Sequence, residues 1–190
     1  VIRDTDAFVA RFKKVLAENL DPGWNDQHGT CPAHTIKALG DCGFLGLTIP
    51  KEYGGRGMPQ YSYCKAIEEL AKRCAGTSVM SGAHQSIGLR AIVLFGNDRQ
   101  KEWLRPLSNG EELAAFALTE PEAGSDAANV QTRAVFDKDK NVWRLNGQKR
   151  WITNGGIAKV LTVLAKTAVE TPEGTKDKVT AFLVRPDMPG

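Results

Sequence analysis

The spacing of apolar residues changes once along this chain, near residue 113, and this change restricts the folds it can adopt. Before that point apolar residues recur every three to four positions, as in "DTDAFVARFKKVLAENLDPG", which is typical of helices. After it, short runs such as "LAAFALT" and "VTAFLVRP" are typical of strands. Helices followed by strands predict segregated regions rather than alternating βαβ units. The sequence therefore predicts an α+β protein, with an all-α domain over residues 1–112 and a β domain over 113–190.

Individual segments give more specific expectations. Phe8, Phe12 and Leu16 share one helical face, and the turn signal "DPG" ends that helix. The stretch "TSVMSGAHQSIGLRAIVLFG" is small or apolar nearly all round, which predicts a helix buried on most sides. In the β half, "VWRLNGQKRWIT" predicts a strand with a hairpin turn at Asn146-Gly147.

The composition argues against several classes of protein. A net charge of +3 without dense runs of Lys and Arg gives no support for nucleic-acid binding. The four cysteines lack C-x-x-C spacing and the three histidines are scattered, so we expect reduced thiols and no metal site. Without a secretory signal, the expected location is a bacterial cytoplasm or a mitochondrion, not a secreted form. The chain begins without Met and ends after a strand-like run, so we expect a piece of a longer protein.

The stretch "LTEPEAGSD" combines a strand end with a polar turn. Backbone N–H groups around Gly124, with the hydroxyls of Thr119 and Ser125, could form a concave anion site suited to a diphosphate. A plain turn remains the alternative.

Three carboxylates, of Glu120, Glu122 and Asp126, lie in or beside this turn. Because a carboxylate near a diphosphate would repel it, we interpret all three as groups that brace the loop by accepting backbone hydrogen bonds.

Two further stretches suggest ligand contacts, each with a structural alternative. In "GQKRWITNGG", Trp151 beside Thr153 and Asn154 would suit a flat heterocycle, although a Trp in a strand is more often part of a core. In "SGAHQSIG", His84 is interpreted as a buried, satisfied histidine rather than a catalyst. The small residues around it could instead line a tunnel for a long, thin ligand.

These stretches also resemble a known family. "ALTEPEAGSDAAN" resembles the signature of the acyl-CoA dehydrogenases, and "KRWITNGG" resembles their second flavin motif. "LGDCGFLGLTIPKEYGG" matches the family's helical domain, and "SGAHQSIG" followed by "LFG" is similar to the very-long-chain branch. The resemblance implies an all-α N-terminal domain and most of a β-barrel-like middle domain, without the family's C-terminal four-helix domain.

The resemblance also implies that FAD binds to eight residues of the two motifs. Phe116, Leu118 and Thr119 would lie along the isoalloxazine ring, whereas Gly124 and Ser125 would meet the pyrophosphate, with Ser125 also touching acyl-CoA. In the second motif, Trp151 and Ile152 would cover one face of the flavin and Thr153 would hydrogen-bond near N5.

The implied reaction is α,β-dehydrogenation of a fatty acyl-CoA, with a long chain preferred, in β-oxidation. Electrons would pass to an electron-transfer flavoprotein, and the full-length enzyme would be a homodimer or tetramer. The family's catalytic base, a glutamate, lies in the C-terminal domain, so no catalytic residue is predicted here and residues 1–190 alone should be inactive. The alternatives are an acyl-CoA oxidase-like relative and a non-catalytic assembly protein of the same fold.

Overall fold

The computed structural model describes residues 1–189 and divides into two compact units, one ending at Ala114 and the other beginning at Ala115. Helices occupy the first unit and strands the second, so the predicted α+β class is confirmed. The described α-helices are α1 (Ile2–Asn19), α2 (Pro22–His28), α3 (Ala33–Asp41), α4 (Gln60–Ala71), α5 (Ala75–Gly82), α6 (Arg90–Phe95), α7 (Asp98–Lys101) and α8 (Leu104–Ser108). A 3-10 turn spans Lys51–Tyr53, and a π-helical turn, Ala83–Gly88, joins α5 to α6.

The core of the helical unit forms along α1, as the sequence predicts. Phe8, Phe12 and Leu16 are buried, and the Phe12 ring stacks on Phe44 with centroids 4.5 Å apart. The "DPG" signal ends α1 but also begins α2, a helix that the sequence analysis missed. The carboxylate of Asp21 accepts a hydrogen bond from the Trp24 N–H at 3.0 Å and so caps this short helix.

The prediction that "TSVMSGAHQSIGLRAIVLFG" is buried on most sides is wrong. Val79 and Phe95 are 59% and 85% exposed, whereas Leu89 and Ile92 are buried. The segment turns one apolar face inward and leaves another in solvent. A Cβ at Gly88 would come within 2.8 Å of the Ala114 Cβ, which shows that Gly88 lies on the inward face.

His84 lies in the π-helical turn and is fully buried. Its Nδ1 accepts a hydrogen bond from the Ala114 N–H at 2.9 Å, and its Nε2 lies 3.1 Å from the Leu107 carbonyl oxygen. The neutral tautomer protonated at Nε2 satisfies both partners. Burial lowers the pKa of His84 to about 4. The interpretation of His84 as a satisfied core histidine is confirmed.

We expect acid to destabilise the helical unit through His84. The unfolded histidine has a pKa near 6.5 and binds a proton before the folded one does. The stabilising contribution is complete above about pH 6.5 and is lost as the pH falls towards 4. A shift of this size corresponds to about 3 kcal/mol. Urea unfolding of the intact protein at a series of pH values measures it. His84→Gln should flatten the dependence in this window, whereas the exposed His34→Gln should leave it unchanged; equal slopes in both variants would contradict the assignment.

The second unit contains a five-stranded mixed sheet. Its strands are β1 (Ala114–Ala117), β2 (Arg133–Asp137), β3 (Val142–Asn146), β4 (Val160–Thr171) and β5 (Gly174–Val184). The long antiparallel pair of β4 and β5 turns at residues 172–173 and runs in register from Leu161↔Val184 to Thr171↔Gly174. β1 and β2 both neighbour β4, β2 running parallel to it, and β3 pairs with β2. Because β5 covers one edge of β4 along its length, β1 and β2 share the other edge. The described strands form an open sheet and not a closed barrel.

The hairpin turn predicted at Asn146-Gly147 is wrong. β3 ends at Asn146, and the turn between β2 and β3 lies at residues 138–141, where Asn141 adopts a left-handed φ of 52°. Gly147 serves a different purpose, since a Cβ there would lie 2.6 Å from the Cα of Thr132. The chain passes too close to Thr132 at this point to carry a side chain.

Candidate functional site

The two motifs lie side by side in the β unit. The first follows β1 and the second follows β3. The Arg150 N–H donates a hydrogen bond to the Thr119 carbonyl at 2.9 Å, and Lys149 Nζ donates to the Leu118 carbonyl at 3.0 Å. Segments about thirty positions apart in the sequence are therefore joined at the residues where both motifs begin.

The carboxylate of Glu120 holds this junction together. It is only 4% exposed and accepts hydrogen bonds from Lys149 Nζ at 2.7 Å and the Thr132 N–H at 3.0 Å. The Thr132 hydroxyl and the Gln131 N–H are further donors. One side chain thus connects the first motif, the residues before β2 and the second motif. We call the ion pair of Glu120 and Lys149 the motif clamp.

The electrostatics of the motif clamp keep Glu120 ionised. Burial alone would raise its pKa, but hydrogen bonds from Lys149, Thr132 and Gln131 together lower the pKa to about 2. Lys149 is itself mostly buried and supplies the compensating charge. The negative charge of Glu120 is therefore balanced by the positive charge of Lys149, so the carboxylate does not repel an anion at the neighbouring loop.

The bracing role predicted for three carboxylates holds for Glu120 alone. The side chains of Glu122 and Asp126 are exposed, and no described residue donates a hydrogen bond to either carboxylate. The Asp126 carbonyl, not its carboxylate, accepts the Asn129 N–H at 3.1 Å. The turn at Glu120–Ala123 is closed by its own backbone hydrogen bonds. Because both side chains are exposed, water can solvate the two outer carboxylates in place of backbone N–H groups.

The loop at Gly124 and Ser125 is open to a ligand. Both residues are exposed, and within residues 1–189 no carbonyl or side chain accepts a hydrogen bond from either backbone N–H. A Cβ built on Gly124 would meet nothing within 4 Å. The two unpaired N–H groups can bind an anion, and the absence of a side chain at Gly124 leaves room for it.

Trp151 adopts an unusual backbone conformation. Its φ is 57°, a left-handed value that is uncommon for a bulky residue, and its side chain is 78% exposed. The Arg150 guanidinium carbon lies 4.4 Å from the centroid of the indole ring, in a cation–π contact. "WIT" was predicted to continue a strand, but it enters a turn in which the Gly155 N–H donates to the Ile152 carbonyl at 2.9 Å. The turn presents the indole outwards, where a flat group can stack on it.

All eight residues predicted to bind FAD lie on these two adjacent segments or in the strand that precedes the first. They differ in accessibility. Four are half-buried, namely Phe116, Leu118, Thr119 and Ile152, and four are exposed, namely Gly124, Ser125, Trp151 and Thr153.

Sequence reasoning missed the residues that align the motifs. Lys149 and Thr132 were assigned no role, although both contact Glu120 directly. Gly147 was assigned to a hairpin turn, although it packs on Thr132. The position of the basic pair Lys149-Arg150 directly before Trp151 is the feature of the sequence that could have indicated their role. Nothing in the sequence indicates that Thr132 lies beside Glu120, because that contact depends on strand pairing.

Residues 1–189 show neither a metal-binding cluster nor a membrane-spanning helix. They contain no cluster of three or more His, Cys, Asp or Glu side chains arranged to hold a metal ion. No helix in this range is both long enough and apolar enough to span a membrane.

Comparison with known proteins gives consistent matches over both units. The sequence profile of the acyl-CoA dehydrogenase N-terminal domain matches residues 3–111, and that of the middle domain matches residues 115–190. The human mitochondrial very long-chain specific acyl-CoA dehydrogenase is 43% identical over 179 residues, which are 93% of this chain and 27% of that protein. An acyl-CoA dehydrogenase of Bacillus subtilis is 39% identical over 160 residues, 84% of this chain and 41% of that protein.

Solved structures agree with the sequence matches. The crystal structure of an acyl-CoA dehydrogenase complexed with FAD from Bacillus anthracis superimposes with a TM-score of 0.87 at 35% identity. The match covers 97% of this chain and 31% of that one. The chain therefore spans well under half the length of these relatives.

Proposed function

Because this chain belongs to the acyl-CoA dehydrogenase family, we propose that it supplies the flavin-binding surface of an enzyme that dehydrogenates fatty acyl-CoA thioesters. The observation that carries the proposal is the junction of the two motifs through the motif clamp and the Arg150–Thr119 backbone hydrogen bond. It brings an open anion loop and an exposed indole onto adjacent segments. The FAD complex of the Bacillus anthracis relative supports the choice of cofactor.

The side chains and backbone present fit the parts of FAD. The unpaired N–H groups of Gly124 and Ser125 suit the pyrophosphate, and the absence of a Cβ at Gly124 allows close approach. The exposed indole of Trp151 offers a plane for the isoalloxazine ring. The nearest buried carboxylate, that of Glu120, is neutralised by Lys149 and does not repel the phosphates.

We assign the eight residues to contacts with the flavin, the pyrophosphate and the acyl-CoA. Phe116, Leu118 and Thr119 would lie along the flavin, and Gly124 and Ser125 would hold the pyrophosphate, Ser125 also contacting the acyl-CoA.

In the second motif, Trp151 and Ile152 would cover one face of the flavin, and the exposed Thr153 hydroxyl would donate to its edge.

When bound, FAD supplies the two-electron acceptor for hydride from the β carbon of the acyl chain. This chain's own residues would position the ligands and shield them from water. Leu118 and Ile152 contribute apolar surface that excludes water, which strengthens every polar contact in the site. The motif clamp keeps the two segments at a fixed separation, so that the contacts made by each segment act on the same ligand. The base that removes the α proton would come from outside residues 1–190.

The substrate and partner assignments are finer proposals. Small residues near His84 and the identity with the human very long-chain enzyme favour a long acyl chain. Electrons would pass to an electron-transfer flavoprotein, and the intact enzyme would be a homodimer or tetramer in a mitochondrion or a bacterial cytoplasm.

The test is a visible absorption spectrum of the intact protein, followed by anaerobic addition of palmitoyl-CoA. We expect a flavin band that bleaches. Gly124→Val should weaken FAD binding by roughly tenfold or more, because the added methyl groups occupy the space an anion would take. It should leave the melting temperature of the apoprotein unchanged, since that space is empty. Gly76→Val is the matched control, as a Cβ at Gly76 also meets nothing within 4 Å.

Each outcome distinguishes a hypothesis. Absence of a flavin band would contradict the proposal and favour a non-catalytic assembly protein. A band that bleaches and then returns rapidly in air would indicate an acyl-CoA oxidase-like enzyme. A band that bleaches with butyryl-CoA better than with palmitoyl-CoA would overturn only the chain-length assignment.

A further inference from the structure

Two cysteine sulfurs in the helical unit lie within 4.0 Å of one hydroxyl group. Cys31 lies in the connection between α2 and α3, and Cys74 is the N-cap residue of α5. The Thr77 Oγ1 is 3.3 Å from the Cys74 sulfur and 4.0 Å from the Cys31 sulfur. The two thiols, far apart in sequence, are therefore neighbours in a site unrelated to the flavin motifs.

The surroundings of Cys74 favour its thiolate. Its sulfur accepts a hydrogen bond from the Thr77 N–H at 3.5 Å, at the start of α5, and one from Asn25 Nδ2 at 3.7 Å. Burial would raise the pKa of Cys74, but the hydrogen bonds of Thr77 and Asn25 together hold it below the ordinary value. Cys74 is 7% exposed, and a thiolate stabilised at a helix N-terminus is the nucleophilic form of a cysteine.

Cys31 complements it as a second thiol. It is half-buried, and burial raises its pKa, as does the proximity of Cys74. The other two cysteines are placed differently: Cys64 is exposed on α4, and the Cys42 thiol donates to the Leu39 carbonyl in its own helix. Within residues 1–189, neither of these shares a hydrogen-bond partner with another thiol.

We propose that Cys31 and Cys74 form a site of reversible oxidation, at which a hydroperoxide generates an intramolecular disulfide. The Cys74 thiolate attacks one oxygen of hydrogen peroxide, the O–O bond breaks, and hydroxide leaves and is protonated to water. The Cys31 thiol loses its proton and attacks the resulting sulfenic sulfur; the S–S bond forms, and hydroxide leaves as a second water. Two thiols lose two electrons in total, and one peroxide is reduced to two waters.

The disulfide would connect two separate parts of the helical unit. It would join the α2–α3 connection to the start of α5 and close a loop that contains α3 and α4. Such a cross-link restricts the unfolded chain, so the oxidised protein should melt several degrees higher than the reduced one. Dithiothreitol should restore both thiols and the lower melting temperature.

The experiment treats the intact protein with a small molar excess of hydrogen peroxide. Remaining thiols are then alkylated, and the protein is digested without reductant for mass spectrometry. We expect a peptide pair linking Cys31 to Cys74, together with the higher melting temperature. In Cys31→Ser, the sulfenic acid at Cys74 should persist and be trapped by dimedone, without a rise in melting temperature. Cys64→Ser is the matched control and should still form the linked pair.

Two results would overturn the proposal. One is oxidation of the exposed Cys64 while Cys31 and Cys74 remain alkylatable. The other is a mixture in which Cys31 is linked to Cys42 as often as to Cys74. Because Cys31→Ser removes only a half-buried sulfur, the dimedone result decides the question even if Cys74→Ser fails to fold.

Discussion

Lys149→Met should lower the free energy of unfolding of the intact protein by about 3–5 kcal/mol, because it leaves the Glu120 carboxylate buried without a counter-charge. It also removes the donor to the Leu118 carbonyl and so loosens the contact between the two motifs. We expect FAD affinity to fall by roughly tenfold as well. Urea unfolding measures the first effect, and titration of the apoprotein with FAD, followed by quenching of flavin fluorescence, measures the second.

Two further variants test the cause of that loss. Lys159→Met removes an exposed lysine close in sequence and should change neither quantity by more than about 0.5 kcal/mol. Adding Glu120→Gln to Lys149→Met removes the uncompensated charge, so part of the stability should return. Equal losses in the single and double variants would rule out the motif clamp as a charge pair.

Gly147→Ala should cost about 3 kcal/mol of stability, at the upper end of the range for overpacking. The new Cβ would lie 2.4 Å from the Thr132 Oγ1 and 2.6 Å from its Cα, so a backbone segment has to move. Since Thr132 donates to Glu120 through both its N–H and its hydroxyl, the displacement should also weaken FAD binding. The same unfolding and titration measurements apply.

Gly156→Ala is the control for that substitution. A Cβ at Gly156 meets nothing within 4 Å, so this variant should unfold like the wild type. If Gly147→Ala were equally harmless, the close approach of Thr132 would not be the reason for a glycine at this position.

Much of the fold follows from periodicity. The change from helical to strand spacing predicted the order of the two units, and the apolar face of α1 predicted its buried phenylalanines. The errors arose where one local signal has two meanings. A "DPG" sequence ends one helix and, through Asp21, caps the next. An "NG" pair permits a hairpin turn, yet here the glycine is required by the close approach of Thr132.

The candidate site was predicted in its parts but not in its assembly. Composition pointed to an anion loop at Gly124 and an aromatic surface at Trp151, and both are exposed. The sequence could not indicate that Glu120 would be buried while Glu122 is exposed, because burial depends on which strands flank the turn. Nor could it indicate the left-handed conformation of Trp151, which is unfavourable for its residue type and is maintained by the surrounding turn.

The order of the strands has a consequence for how the chain folds. β4 and β5 are joined by a two-residue turn and pair along their whole length, so they can form a hairpin early from local contacts alone. β1 cannot pair until β4 has been synthesised, because β4 begins only at Val160, after β2, β3 and the second motif. Closing that long loop has an entropic cost, which the contacts between β1 and β4 offset only when β4 is in place. On a ribosome, therefore, the loop at Gly124 should take its final shape only after β4 has been synthesised.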